Sequence, residues 1–184
     1  MCWYNQPYIR LLFILNIIIF ISGLQSCRPD IKVTHPNFFD IKGFFEADSA
    51  KLMHLDPIVK KTVSHNGKAE TKSLHIKNWG SELGLFINSD INKPAWRDGY
   101  TIVENDTLLH YTAKQPDLKV RDISVTKQGG KVKSISITNH TENFLYTNTE
   151  KLYYWPDSVY RIEKTQHVRF IGDNRYKIQG ILLK

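Results

Sequence analysis

The feature that most limits the fold of this 184-residue chain is a series of short alternating segments separated by turn residues. The clearest example is Asn66-Gly67, which lies between residues 59–65 and 68–76. Both central positions of a type I′ turn need a positive φ, which Asn and Gly adopt most easily, so this dipeptide predicts a tight β-hairpin. Pairing across the turn sets Val59 opposite Leu74. Neither face of the hairpin is strongly apolar, so we expect it near the edge of a sheet.

Further strand segments follow along the second half of the chain, at residues 100–104, 107–113, 118–126, 132–138, 144–155, 159–171 and 176–183. In the last pair, Tyr160 and Ile162 alternate with charged residues, and a turn at 172–174 would place Val168 opposite Ile178. About nine strands joined by short turns predict a curved antiparallel sheet, a meander or half-barrel with one covered face.

Two helical segments precede most of these strands. Residues at helical spacing form one apolar stripe from residue 38, with Asn37 as the expected N-cap and Pro57 as the stop. The stripe consists of Phe38, Ile41, Phe45, Leu52 and Leu55. A second helix is expected from Trp79 to about residue 91, capped by Asn78. The two helices would cover the sheet, which predicts a single α+β domain over residues 37–184.

The amino-terminal segment has a different pattern. One charge, Arg10, precedes an apolar run over residues 11–21, which is the length of a signal-peptide core and too short to span a bilayer. The tetrad Leu24-Gln25-Ser26-Cys27 then resembles the lipobox of bacterial lipoproteins. The resemblance implies a signal peptide over residues 1–26 that is cleaved before Cys27. It also implies that Cys27 carries fatty acyl chains, for example palmitate, and that residues 27–36 form a lipidated tether. The alternative is an uncleaved anchor helix, which needs no cysteine.

The same resemblance implies a location. Arg28 and Pro29 follow the cysteine where an Asp would favour the inner membrane, so we expect a lipid-anchored protein of the outer membrane that faces the periplasm. Cleavage would lower the net charge from +7 to +6 and leave one cysteine, itself lipidated. No thiol would then remain for catalysis or for a metal.

No pattern for catalysis was found in the sequence. The seven histidines show neither His-x-His nor His-x-x-x-His spacing, and there is no Gly-x-Ser-x-Gly and no phosphate loop. The basic residues are scattered, and an anchored envelope protein is a poor candidate for nucleic-acid binding. We therefore expect no catalytic residues, no metal, no cofactor and no nucleic-acid partner.

Aromatic and basic residues give the remaining hypotheses. An aromatic set would fill the core or line a site for an apolar ligand: Tyr146, Tyr153, Trp155, Tyr160, Trp79 and Trp96. Arg161, Arg169 and Lys177 fall on the opposite, outer face and form a candidate partner surface. The leading hypothesis is a non-enzymatic binding or accessory protein that contacts another envelope protein. A carrier of a lipid or other hydrophobic ligand is the alternative, and a hydrolytic or metal enzyme ranks third.

Overall fold

A computed structural model describes residues 38–183, and these form an α+β fold built on one nine-stranded antiparallel sheet. The helices are α1 (Ile41–Leu55), α2 (Trp79–Glu82), α3 (Gly84–Ile87) and a 3₁₀ turn at Pro94–Trp96. The strands are β1 (Ile58–His65), β2 (Lys68–His75), β3 (Tyr100–Glu104), β4 (Leu108–Ala113), β5 (Val120–Gln128), β6 (Lys131–Glu142), β7 (Tyr146–Trp155), β8 (Val159–Val168) and β9 (Gly172–Leu182). Among residues 38–183, no helix has both the length and the apolar character to cross a membrane.

The strand order is β2-β1-β9-β8-β7-β6-β5-β4-β3, an open, curved sheet. Strands β3 to β9 form a continuous meander, and the β1–β2 hairpin joins it by pairing β1 with the last strand, β9. The fold class, the number of strands and the antiparallel arrangement predicted from the sequence are therefore confirmed.

The Asn66-Gly67 hairpin has the predicted geometry. Asn66 and Gly67 have φ values of 48° and 86°, and Val59 pairs with Leu74. Strand β2 is one of the two edge strands of the sheet, as the weakly apolar faces indicated.

Helix α1 covers the inner face of the sheet with Ile41, Phe45 and Leu52 of the predicted stripe, whereas Phe38 is buried but lies before the helix. Phe45 is fully buried, and its ring lies 4.8 Å from Phe86 and 4.9 Å from Tyr154. The helix begins at Ile41, because the side chain of Asp40 accepts a 2.7 Å hydrogen bond from the Gly43 amide. Asn37, the expected cap, lies outside the described residues. The prediction for Leu55 is wrong: it ends the helix and is 59% exposed.

The predicted helix over residues 79–91 is two single turns instead. Asn78 caps the first as predicted and accepts a hydrogen bond from the Ser81 amide. Gly80 and Gly84 weaken a continuous helix in this segment, and the chain breaks between α2 and α3 at Leu83. Both turns still bury large apolar side chains, Trp79 and Phe86, against the sheet.

The turn between β8 and β9 was predicted at the wrong place. Strand β9 already begins at Gly172, and Ile162 rather than Val168 pairs with Ile178. The reversal falls at residues 169–171, where Phe170 has the left-handed φ of 76°. The register differs from the predicted one by an even number of residues, so the side chains that remain within β8 and β9 keep their predicted faces.

Candidate functional site

The six aromatic residues proposed as a ligand lining do not come together. Trp79 and Tyr160 are fully buried in the core, in edge-to-face contact at 6.1 Å. Tyr153 and Trp155 point to the other face of β7, where their rings stack at 6.2 Å and are partly exposed. The sheet itself therefore separates these two pairs.

The last two residues of that set lie elsewhere. Tyr146, at the start of β7, lies on the inner face. Its cross-strand partner is Val168, which is an even number of residues from the buried Tyr160 and Ile162 on β8 and therefore shares their face. Trp96 belongs to the 3₁₀ turn, and the ammonium group of Lys93 lies 3.9 Å from its ring centroid.

The aromatic residue of β7 that does fill the core is Tyr154, which was not among the predicted site residues. Its hydroxyl donates a hydrogen bond to the buried carboxylate of Asp48 on α1. Burial and this hydrogen bond raise the pKa of Tyr154 well above its ordinary value. Strict alternation with Leu152 was the sequence signal that could have identified it.

The outer face of the sheet carries a compact aromatic, apolar and basic surface. Cross-strand pairing puts Trp155 beside Val159, Val159 beside Ile181, and Ile181 beside Lys60. The next row holds Tyr153, Arg161 and Gln179. We call the residues Tyr153, Trp155, Val159, Arg161, Ile181 and Lys60 the outer patch.

The outer patch combines partly exposed apolar groups with fixed polar ones. Ile181 is 37% exposed, and Lys60 is exposed as well. The Arg161 Nε donates a 3.2 Å hydrogen bond to the side-chain oxygen of Gln179, which fixes this side chain towards β9, while Tyr153 is its cross-strand neighbour on β7. Aromatic residues and arginine around a small apolar centre are the composition found at the energetic centres of protein interfaces.

The three predicted partner residues divide between two places. Arg161 and Lys177 share the outer face, in neighbouring cross-strand rows, and Lys177 makes a 3.1 Å ion pair with Glu163. Arg169 instead belongs to the loop between β8 and β9. Its guanidinium carbon lies 4.5 Å from the ring centroid of Phe144 and 5.5 Å from that of Phe170.

A buried polar cluster on the inner face was not predicted. Glu150 is 5% exposed and accepts hydrogen bonds from the amide groups of Asn139 and Asn148, at 3.4 and 3.1 Å. The Lys164 Nζ lies 3.8 Å from this carboxylate and partly balances its charge. The Asn139 amide also donates to Ser89 at 2.8 Å, so the cluster ties the segment after α3 to β6 and β7.

Four histidines of the described residues each lie near one carboxylate: His75, His110, His140 and His167. His110 lies 2.6 Å from Asp122, and His167 lies 2.6 Å from Asp173. Within residues 38–183, no three His, Cys, Asp or Glu side chains lie close enough to share a metal ion.

One pocket of about 240 Å3 and another of about 200 Å3 lie in the described part of the chain. The first lies in the loop region around Pro94 and Leu118, and the second is lined by residues of the β1–β2 hairpin, β8 and β9, among them Gly67, Glu163 and Lys177. Neither is lined by any of the six proposed ligand-binding aromatic residues.

No known protein family, curated protein or solved structure matches this chain.

Proposed function

We propose that this chain is a non-enzymatic binding protein of the bacterial cell envelope, anchored through acylated Cys27 to the outer membrane and facing the periplasm. In this proposal its folded domain contacts another envelope protein through the outer patch. The observation that carries the proposal is the position of Trp155 and Tyr153 on the face of the sheet away from the helices, where the core does not need them.

The chemistry of the patch indicates the kind of partner surface that fits it. Trp155, Val159 and Ile181 would be covered by an apolar surface of the partner, and the flanking cations Lys60 and Arg161 would face carboxylates. Such charge pairs mainly set the orientation and the association rate of the two proteins, whereas Trp155, once covered by the partner, supplies most of the affinity.

The partner contact can be tested by photo-crosslinking in cells. A photoreactive amino acid at position 155 should give one discrete crosslinked product, and the same group at Ser124, at the other side of the outer face, should not. The captured protein is then purified and its affinity measured. Trp155→Ala should weaken binding at least tenfold, while Ser124→Ala should leave it unchanged. Equal affinity of the two variants would contradict the proposal.

The anchor rests on the lipobox resemblance and has a separate test. Cys27→Ala should leave the protein unprocessed or released in soluble form, because the acyl acceptor is lost. Globomycin-type inhibition of the lipoprotein peptidase should accumulate the precursor of the wild type. If the Cys27→Ala protein resists carbonate washing of the membrane, the apolar run itself is the anchor.

The alternative function, a carrier of a hydrophobic ligand, has less support from the packing. It requires a cleft between helices and sheet, and Phe45, Phe86 and Tyr154 pack there with ring centroids 4.8–5.8 Å apart. Native mass spectrometry of the domain purified in the presence of membranes tests it. A bound lipid adduct, together with a thermal shift on adding fatty acid, would favour the carrier over the protein-binding proposal.

A further inference from the structure

Two neighbouring loops at one end of the sheet expose the most accessible apolar side chains among residues 38–183. Phe144 and Leu145 lie between β6 and β7, and are 77% and 60% exposed. Phe170 and Ile171 lie between β8 and β9, and are 92% and 78% exposed. We call these four residues the apolar tip. Single exposed apolar residues are ordinary on protein surfaces, but four adjacent ones indicate an interaction site.

The two loops form one ordered structure. The Arg169 amide donates a 2.9 Å hydrogen bond to the Leu145 carbonyl, which ties the loops together. The Asn143 side chain accepts hydrogen bonds from the amides of Leu145 and Tyr146, at 2.9 and 3.0 Å. The Ile171 amide donates to the Val168 carbonyl. Much of the loop backbone is therefore already hydrogen-bonded inside the protein, which lowers the cost of moving it out of water.

Phe170 adopts a backbone conformation that a bulky side chain disfavours. Its φ of 76° costs about 1–2 kcal/mol for a residue with a Cβ, and its ring, at 92% exposure, gains almost nothing from burial. Backbone strain of this kind clusters at functional sites in proteins.

We propose that the apolar tip inserts into the interfacial region of a lipid bilayer. The tip consists of two protruding loops rather than a groove or a flat face, so it can enter the acyl region between lipid molecules. Arg169 sits against the rings of Phe144 and Phe170, and its guanidinium group is placed to bind lipid phosphate while the rings lie deeper.

The direction of the chain supports a membrane as the occupant. Antiparallel pairing places the beginning of β3, at Tyr100, at the same end of the sheet as the two loops. Phe38, the first described residue, packs edge-to-face on Tyr100 at 5.7 Å and on Tyr111 at 5.4 Å. Ten residues separate Phe38 from Cys27, which span at most about 35 Å. This one step rests on the proposed lipidation of Cys27, which would hold that end of the sheet close to the bilayer.

The test uses the domain without the anchor, so that its result does not depend on lipidation. The described residues, 38–183, form one compact unit with its own core, and a protein that starts at residue 28 includes all of it. This protein is sedimented with vesicles of phosphatidylethanolamine and phosphatidylglycerol, and with vesicles of phosphatidylcholine alone. We expect it to bind both kinds of vesicle, more tightly the anionic one, because insertion and headgroup contact both contribute.

The decisive variant is Phe144→Asp combined with Phe170→Asp, which should reduce vesicle binding at least tenfold. Both side chains are exposed, and Asp tolerates the positive φ at position 170, so the fold should persist and is checked by circular dichroism. Val103→Asp is the matched control, because Val103 is 53% exposed on the edge strand β3. It should leave binding unchanged.

Three results would overturn the proposal. The first is that the wild-type domain binds neither kind of vesicle. The second is undiminished binding of the double Asp variant, which would mean that basic residues elsewhere hold the lipid. The third is a concentration-dependent dimer that the double variant abolishes without any loss of vesicle binding, which would make the tip a contact between two copies of this chain. Failure of the Cys27→Ala test would leave these measurements unaffected.

Discussion

The ring of Tyr160 on β8 lies directly over Gly180, its cross-strand partner on β9. A Cβ at position 180 would overlap Cε1, Cζ and Oη of this ring. The same end of the ring is held in place, because the Tyr160 hydroxyl donates a 2.6 Å hydrogen bond to Glu82, which also pairs with Lys61 at 2.7 Å. The glycine thus allows the hydroxyl end of an aromatic ring to lie against the backbone of β9, next to Glu82 of α2.

We predict that Gly180→Ala lowers the free energy of unfolding by about 1–3 kcal/mol, because the buried ring cannot move away without losing its hydrogen bond. Denaturant unfolding measures this change. Gly84→Ala is the control: a Cβ there meets nothing within 4 Å, and alanine favours the helix, so stability should stay equal or rise. Equal effects of the two substitutions would contradict the close contact.

Local signals in the sequence determined the parts of the fold that could be predicted. Asn66-Gly67 specifies its own turn, so the β1–β2 register followed directly from the two residues between the strands. At the other hairpin, Gly172 and Asn174 suggested a turn, but the chain reverses at Phe170, a residue type that rarely adopts positive φ. The pairing of β1 with β9 joins segments more than a hundred residues apart, and no local pattern encodes it.

The candidate site was predicted less well, because exposure depends on where each strand ends. Phe144 and Phe170 were assigned to strands, and both lie in loops, which is why the apolar tip was missed. Tyr153, Tyr154 and Trp155 are similar in composition, but the two-residue period of a strand sends only Tyr154 into the core. Strand alternation predicts that the Glu150 side chain points inward. It does not predict the polar partners that make burial of this carboxylate tolerable.

The edge hairpin offers a second stability prediction. Gly67 has φ of 86° with no atom close to its Cβ position, so a substitution there affects the backbone alone. Gly67→Val should lower the free energy of unfolding by about 1–2 kcal/mol, because a β-branched residue strongly disfavours positive φ. The control is Ala69→Val on the exposed strand β2, which should be neutral or slightly stabilising. An unchanged melting temperature for Gly67→Val would mean that the turn does not need this conformation.

Alkaline pH should destabilise the protein through its buried tyrosines. Burial raises the pKa of Tyr100 to about 12, and burial also raises the pKa of Tyr111, Tyr154 and Tyr160. In the unfolded chain these hydroxyl groups ionise near pH 10, so above that pH the unfolded state binds fewer protons than the folded state and is favoured as the pH rises. Stability should therefore be unaffected below about pH 10 and should fall as the pH rises towards 12.

The measurement follows tyrosinate absorbance near 295 nm and circular dichroism on the same samples. The buried tyrosines should ionise only as the native circular dichroism signal disappears, after the accessible ones have titrated. Reversible ionisation of every tyrosine near pH 10, with native structure retained, would show that these hydroxyl groups are not buried as described.

The strain at Phe170 leads to the last prediction, in which stability and binding change in opposite directions. Asn adopts positive φ far more readily than Phe, so Phe170→Asn should relieve much of a backbone cost of about 1–2 kcal/mol. The substitution also removes the contact with Arg169, but an exposed cation–π pair contributes only about 0.5–1 kcal/mol. The backbone effect is the larger, and we expect a higher melting temperature together with weaker vesicle binding.

Phe144→Asn provides the comparison, because it removes a ring at 77% exposure without relieving a positive φ. It should weaken vesicle binding without raising the melting temperature. A melting temperature lowered by Phe170→Asn would mean that the ring stabilises the loop, and the strain would then need no functional explanation.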